Sequence, residues 1–215
     1  MKNMKFGILL VIAVLALVSV ASAALPAQID ATITAPGPES YWNVRVTNGG
    51  GDIFAPADYA GWCGSSKNGI NHGQHTFMVY SSLGSLPAGL PIMDWNRVNF
   101  VINKYPDANA ATLQQVFWYY DGGYYVWNPS APLGPYDGTL YNTIIADADA
   151  NGGSYVPGPG NNFAVILWSA RTAQPVFIVL PIPEIPSPEF PTIALPVAML
   201  IGVVGAVQYI RSRKE

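Results

Sequence analysis

The stretch Phe163–Leu180, FAVILWSARTAQPVFIVL, decides the fold class predicted for this chain. It contains two apolar runs rich in β-branched residues, Phe163–Ser169 and Val176–Leu180, which are joined by a short polar link. This pattern predicts two strands of a hairpin. Since these strands follow a long segment with helical spacing, the chain runs from strands to helices and back to strands. That order is typical of an α+β domain.

Shorter segments in the first half of the chain predict the remaining strands. Ala31–Thr34 is predicted as a short first strand, and Tyr41–Thr47 alternates apolar with polar residues. Thr76–Tyr80 alternates its side chains between two faces in the same way. Together with the closing hairpin, they predict a small antiparallel β-sandwich or barrel.

The middle of the chain predicts a helical insert. Asp94 is a suitable N-cap for a helix whose apolar residues recur three or four positions apart until Pro106 stops it. A second helix is predicted over Ala110–Tyr120 and a third over Leu140–Ala150, each followed by a pair of glycines.

The two ends of the chain have the composition of targeting segments. Residues 1–23 combine two lysines, an apolar run and a small-residue end, which predicts a secretory signal peptide; a retained anchor is the alternative. Residues 192–210 carry no charge and are long enough to cross a bilayer, and the basic tail 211–215 predicts a cytoplasmic end. Residues 181–191 are proline-rich and predict a stiff stalk. The domain therefore spans residues 24–180.

Charge and cysteine content narrow the function classes. The chain has 10 Lys and Arg against 13 Asp and Glu, for a net charge of −3, and it shows no basic stripe. This argues against a nucleic-acid partner. Cys63 is the single cysteine, so no disulfide can form within the chain. Outside the cell, such a cysteine is buried and inert, paired with another chain, or used chemically.

Cys63 and both histidines, His72 and His75, fall within Tyr59–Tyr80, YAGWCGSSKNGINHGQHTFMVY. A zinc site would need three or four ligands at a recognisable spacing, and the segment has no CxxC pair. A cysteine hydrolase would need a histidine and an orienting Asn or Asp beside the thiol, and the loop contains those residue types. Loop histidines without a chemical role are the simpler interpretation.

Other catalytic patterns are poorly represented. Glycoside hydrolysis needs paired carboxylates, yet the only glutamates of the exported part, Glu39 and Glu184, lie near its two ends. The glycines around Pro159 lack the Lys and Ser or Thr of a phosphate-binding loop. The sequence therefore predicts a protein that is not an enzyme and that needs no metal or cofactor.

Two short motifs resemble the thioester domain family of surface adhesins. They are GWC, which ends at Cys63, and LQQVFW over Leu113–Trp118, in which Gln114 occupies the glutamine position of the family motif. The resemblance runs from about Trp42 to Leu180. It implies an internal thioester between Cys63 and Gln114 that attaches the domain covalently to an amine, such as a lysine, on a partner surface.

The resemblance also suggests roles for neighbouring residues. Shielding of the thioester from water falls to Trp62, Trp118 and Tyr119, and proton transfer to His72 or His75. The chain departs from the family where Gly64-Ser65 follows the cysteine and where Leu113 replaces Thr. A module of the same fold that binds without covalent chemistry, or is purely structural, is therefore the alternative.

The C-terminal segment resembles a second family pattern. Pro188, Glu189 and Phe190 precede the apolar span and the basic tail, as in the PEF-CTERM sorting signal of archaea. This implies processing by an archaeosortase, and it implies a membrane-anchored domain on the extracellular face of an archaeal envelope. A plain C-terminal anchor would give nearly the same location.

Overall fold

A computed structural model describes residues 25–34, 40–49, 54–91, 93–122, 133–169 and 172–183. The predicted signal peptide, the PEF motif, the apolar span and the basic tail lie outside these described residues. Within the described ranges, no helix combines the length and the apolar character that crossing a membrane requires.

In the described residues, six strands close into a barrel, and three helices follow its fourth strand. The barrel order is β1-β2-β3-β6-β5-β4. The pairs β1–β2, β2–β3, β3–β6, β4–β5 and β1–β4 are antiparallel. This confirms the predicted α+β barrel with a helical insert and the closing hairpin. The strands are β1 Gln28–Thr34, β2 Trp42–Asn48, β3 Asp58–Cys63, β4 Gly73–Ser81, β5 Asn162–Ser169 and β6 Thr172–Pro181, and the helices are α1 Trp95–Lys104, α2 Ala110–Tyr120 and α3 Gly138–Asn151.

The core has two layers that share the wall of the barrel. Ala164 and Ile166 of β5 pack into a cluster with apolar residues of all three helices. Val165 and Leu167 alternate with them and are fully buried as well, on the opposite face of the strand. Because β5 is covered on both faces, its sequence is continuously apolar instead of alternating.

Each helix begins at a side chain that accepts a hydrogen bond from its first turn. The predicted cap Asp94 accepts from the backbone N–H of Arg97 at 3.2 Å. Asn109 caps α2 and Asp137 caps α3 in the same way. The second helix covers the predicted range, Ala110–Tyr120, and the third begins two residues earlier than predicted.

Strand β3 is the element that the sequence pattern does not predict. Its residues, DYAGWC, include alanine and glycine and lack a clear alternation, so local preference for a strand is weak. The strand is held by its pairing with β2 on one side and β6 on the other. The glycine follows from this pairing, because a Cβ atom on Gly61 would lie 2.4 Å from Cγ2 of Val44 on β2. A glycine is needed here for close approach of the two strands.

Among the described residues, Gly158–Asn161 and residues 181–183 belong to a second, small compact unit. Within it, the N–H of Gly160 donates to the carbonyl of Ile182 at 3.1 Å, and the N–H of Ile182 donates to the carbonyl of Asn161 at 2.7 Å.

Candidate functional site around Cys63

Cys63 is the last residue of β3, and its two strand neighbours extend to different lengths. On one side it lies opposite Val176 of β6. On the other side, β2 follows β3 only as far as Trp42, which lies opposite Gly61. Since alternate residues direct their backbone groups to the same strand edge, the N–H and C=O of Cys63 extend past the end of β2. These buried groups need partners from another element.

The carboxamide of Gln114 on α2 supplies both partners. The N–H of Cys63 donates to Oε1 of Gln114 at 2.9 Å, and Nε2 of Gln114 donates to the carbonyl of Cys63 at 3.0 Å. The side chain of Gln114 is fully buried. Its carboxamide makes the two backbone hydrogen bonds that a residue of a neighbouring strand would otherwise make. These bonds join α2 to the end of β3.

The sulfur of Cys63 lies against a different glutamine, Gln174 of β6. Nε2 of Gln174 is in contact with Sγ of Cys63 and also donates to the carbonyl of Ser65 at 2.9 Å. The thiol donates to that same carbonyl at 3.0 Å. Cys63 and Gln174 are 1% and 4% exposed. One acceptor therefore holds the thiol and the carboxamide side by side, away from water.

Two aromatic residues close the site on the side of α2. Trp118 is buried, and its indole lies close enough to the sulfur of Cys63 to help lower the pKa of the thiol. The ring of Tyr41 packs edge-on against Trp118, with ring centroids 5.3 Å apart and planes inclined by 73°. This pair limits the access of water to the sulfur.

Burial raises the pKa of the Cys63 thiol to about 11. A hydrogen bond with the backbone of Ser65 and the nearby side chains of Trp118 and Gln174 lower this pKa, and the negative charge of Asp121 raises it. The thiol is therefore almost wholly protonated at neutral pH. A cysteine hydrolase works with a thiolate whose pKa is lowered by a nearby histidine, whereas the pKa of the Cys63 thiol is raised.

The two histidines lie in other surroundings. The ring of His75 bonds through Nε2 with the carbonyl of Asn71 at 2.8 Å. The ring of His72 packs edge-on against Trp42, with centroids 5.4 Å apart. In the part of the chain that the structure describes, no group of three or more His, Cys, Asp or Glu residues could hold a metal ion.

Of the three aromatic residues predicted to shield the sulfur, the structure brings Trp118 to it. Trp62 points to the opposite face of β3 from Cys63 and packs edge-on against Phe117 at 5.2 Å, in the core between barrel and helices. Tyr119 is 46% exposed and contacts the rings of Tyr120 and Tyr141.

Gln174 is the site residue that sequence reasoning missed. A signal for it exists, because period-two alternation places Gln174 on the same face of β6 as Val176 and Ile178, which are both fully buried. A carboxamide at a buried position of an apolar strand needs a specific partner. Here that partner is the pair formed by the Cys63 thiol and the Ser65 carbonyl.

Comparisons with known proteins find a likeness to a solved structure. No family model matches the sequence, and no curated protein matches it. Among solved structures, the chain is similar to the N-terminal thioester domain of fibronectin-binding protein SfbI from Streptococcus pyogenes, with a TM-score of 0.40 and 12% sequence identity. The match covers 74% of this chain and 94% of that chain.

The role of Gln114 at the Cys63 backbone predicts a loss of stability when its carboxamide is removed. We expect Gln114→Ala to lower the free energy of unfolding by roughly 2–4 kcal/mol, because two buried backbone groups lose their partners. The measurement is chemical denaturation in a Cys63→Ala background, which keeps the backbone groups and removes the thiol. Gln74→Ala, at an exposed position of β4, is the matched control and should change stability by less than about 0.5 kcal/mol. Equal stability of the two variants would contradict the assigned role.

Proposed function

We propose that this domain forms an internal thioester between Cys63 and Gln174 and uses it to attach covalently to an amine on a partner surface. The observation that carries the proposal is the contact between the Gln174 carboxamide and the Cys63 sulfur in a buried site. The sequence motifs pointed to Gln114 as the acyl partner. We revise that assignment, because both polar atoms of the Gln114 carboxamide bond to the backbone of Cys63.

Thioester formation follows from this arrangement. The sulfur attacks the side-chain carbonyl carbon of Gln174, the carbon–nitrogen bond of the carboxamide breaks, and a carbon–sulfur bond takes its place. The nitrogen gains the thiol proton and leaves as ammonia, so no other reactant is needed. The thiol proton is directed at the Ser65 carbonyl, which Nε2 also contacts, so it has a short path to the nitrogen that must receive it.

Positioning substitutes for activation of the thiol. Since the thiol stays protonated at neutral pH, a bimolecular attack on an amide would be extremely slow. Groups held at near-attack distance in one molecule reach effective concentrations of about 10⁵–10⁸ M. Gln114 fixes the backbone of Cys63, and the Ser65 carbonyl aligns the thiol with the Gln174 carboxamide. These hydrogen bonds of Gln114 and of the Ser65 carbonyl position the reacting groups before any reaction begins.

The surroundings of the sulfur also suit storage of a thioester. Hydrolysis requires water at the carbonyl carbon, and both Cys63 and Gln174 are almost completely buried. Trp118 covers the sulfur from α2, with Tyr41 packed against its ring. A partner's amine that reaches the carbonyl carbon forms an amide with Gln174 and releases the thiol. Each domain would react once, which is covalent binding and not enzymatic turnover.

The biological setting we propose is that of an adhesin-type module on the cell surface. The signal peptide of residues 1–23 would export the domain, and the span of residues 192–210 would hold it at the membrane. The motif Pro188-Glu189-Phe190 would make the tail a substrate of an archaeosortase. Its partner would be a surface ligand with an accessible amine.

The thioester predicts a mass that is one ammonia lower than the sequence mass. We expect intact mass spectrometry of the exported segment, residues 24–183, to show this deficit in the wild type. Cys63→Ala and Gln174→Ala should both show the full mass, since each removes one reacting group. Gln74→Ala, the exposed control, should keep the deficit.

Gln114→Ala separates the two glutamines in the same experiment. If Gln174 is the acyl donor, Gln114→Ala forms the thioester more slowly or less completely, and some of the deficit remains. A deficit that persists in Gln174→Ala and disappears in Gln114→Ala would assign the donor to Gln114. Full mass with a thiol in the folded wild type would support a non-covalent surface module instead.

The raised pKa of Cys63 predicts the pH dependence of its reactivity in Gln174→Ala, where the thiol stays free. Loss of Gln174 removes a hydrogen bond that lowers this pKa, so the pKa stays high. The thiolate is the reactive form, so the rate of alkylation by iodoacetamide should rise about tenfold per pH unit from neutral pH towards pH 11. A folded-state pKa above the unfolded value of about 8.5 also means that stability falls as pH rises through this window. A rate that levels off near pH 8.5 would contradict the raised pKa.

A further inference from the structure

The peptide unit between Ser65 and Ser66 is hydrogen-bonded on both of its sides. Its carbonyl, that of Ser65, accepts from the thiol of Cys63 at 3.0 Å and from Nε2 of Gln174 at 2.9 Å. Its N–H, that of Ser66, donates to the carboxylate of Asp121, which also accepts from the Ser66 hydroxyl at 3.1 Å. One peptide unit therefore links the reacting pair of the proposed thioester to the end of α2.

The rigidity of the peptide unit makes this link directional. A peptide group is planar, and the described residues contain no cis peptide bond, so its C=O and its N–H point in opposite directions. A carboxylate that fixes the N–H on one side therefore fixes the direction of the oxygen on the other side. Asp121 is the C-cap residue of α2, so the helix that carries Gln114 also holds this carbonyl.

The charge of Asp121 adds to the acceptor strength of the Ser65 carbonyl. Hydrogen bonds to a carboxylate are about twice as strong as neutral ones, and linked hydrogen bonds polarise one another. Donation from the Ser66 N–H to the carboxylate shifts electron density towards the carbonyl oxygen of the same peptide. That oxygen then holds the thiol proton and the carboxamide N–H more firmly.

Asp121 does not stabilise the helix end at which it lies. It is the C-cap residue of α2, where the helix dipole is negative, and the last turn of α2 contains no basic residue. Helix C-termini favour positive charge, so a carboxylate there costs stability. The same charge also disfavours ionisation of the thiol, since it raises the pKa of Cys63. The favourable contribution of Asp121 therefore lies in its bonds to Ser66.

We propose that Asp121 is a positioning residue for thioester formation, which acts through the Ser65–Ser66 peptide unit on Cys63 and Gln174. The inference rests on the thioester proposed above. Asp121 aims the carbonyl that holds the thiol beside the carboxamide, and it takes no part in the bonds that change. The carbon–nitrogen bond of the Gln174 carboxamide breaks, the carbon–sulfur bond forms, and the thiol proton leaves with the ammonia.

The test follows thioester formation by the full chain as it folds. The chain is purified in denaturant, refolded by dilution into buffer with a mild detergent, and sampled over time for the ammonia deficit, with tryptophan fluorescence as the measure of folding. We expect folded Asp121→Asn to form the thioester roughly five- to tenfold more slowly than the folded wild type, because a neutral acceptor replaces a charged one. A wild-type rate in folded Asp121→Asn would overturn the proposal.

Two further variants separate the peptide link from other effects of the substitution. Asp107→Asn is the matched control, because it removes an exposed carboxylate elsewhere in the helical insert, and its rate should equal that of the wild type. Ser66→Ala removes the hydroxyl bonded to Asp121 and keeps the peptide N–H, so its rate loss should be smaller than that of Asp121→Asn. Equal slowing in Asp107→Asn, or a larger loss in Ser66→Ala, would contradict action through the peptide unit.

The pKa of the thiol separates positioning from a general loosening of the site. Since the charge of Asp121 raises this pKa, Asp121→Asn should lower it. In a Gln174→Ala background, the midpoint of the pH profile of iodoacetamide alkylation should therefore move to lower pH, whereas loosening would raise the rate at every pH. With Gln174 present, thioester formation should slow although the thiolate is more available. An unshifted midpoint, or faster thioester formation in Asp121→Asn, would overturn the proposal.

Hydrogen exchange keeps the proposal testable if Asp121→Asn does not fold. In the folded wild type, the amide proton of Ser66 should be protected at least about tenfold more than that of Gly69, an exposed residue of the same loop. Equal protection of the two amides would overturn the role of Asp121 alone. A wild type that lacks the ammonia deficit would overturn the thioester itself, and with it this inference.

Discussion

The two hydrogen bonds between the Gln114 carboxamide and the backbone of Cys63 are the contact on which the rest of the site depends. They pair the end of β3 where β2 no longer reaches it, and they fix α2 against the barrel at that point. Trp118 lies one helical turn further along α2, so its contact with the sulfur depends on the same attachment. A glutamine can do this because it carries a donor and an acceptor, as a strand residue does.

The arrangement divides two tasks between two glutamines. Gln114 acts on the backbone of the cysteine, whereas Gln174 lies against its sulfur. The first task needs a rigid helix, and the second needs a strand that lies beside β3. The barrel order supplies this, because β6 is the neighbour of β3 although more than one hundred residues separate Cys63 from Gln174. Burial then protects the pair and keeps the thiol protonated, so proximity must replace ionisation in our account.

Much of the fold was predictable because the sequence patterns that indicate its helices and strands are local. The cap at Asp94, the apolar spacing of α2 and the continuous apolar run of β5 each reflect a rule that acts within about ten residues. Strand β3 was not predictable in this way, because Gly61 is selected by the closeness of Val44 on another strand. Cys63 was predicted as the centre of the site because it is the single cysteine of the chain. Its two partners are set by the barrel closure and by helix docking, which no short window of sequence contains.

The central claim is that Gln174, and not Gln114, is the acyl group that Cys63 holds. The most direct measurement is a peptide map of the folded protein after reaction with methylamine, with fragmentation to locate the added methylamide. The account predicts that the label lies on Gln174, in the peptide that contains β6, with Cys63 recovered as a free thiol. A label on Gln114, or a folded protein that takes up no methylamine at either glutamine, would contradict it.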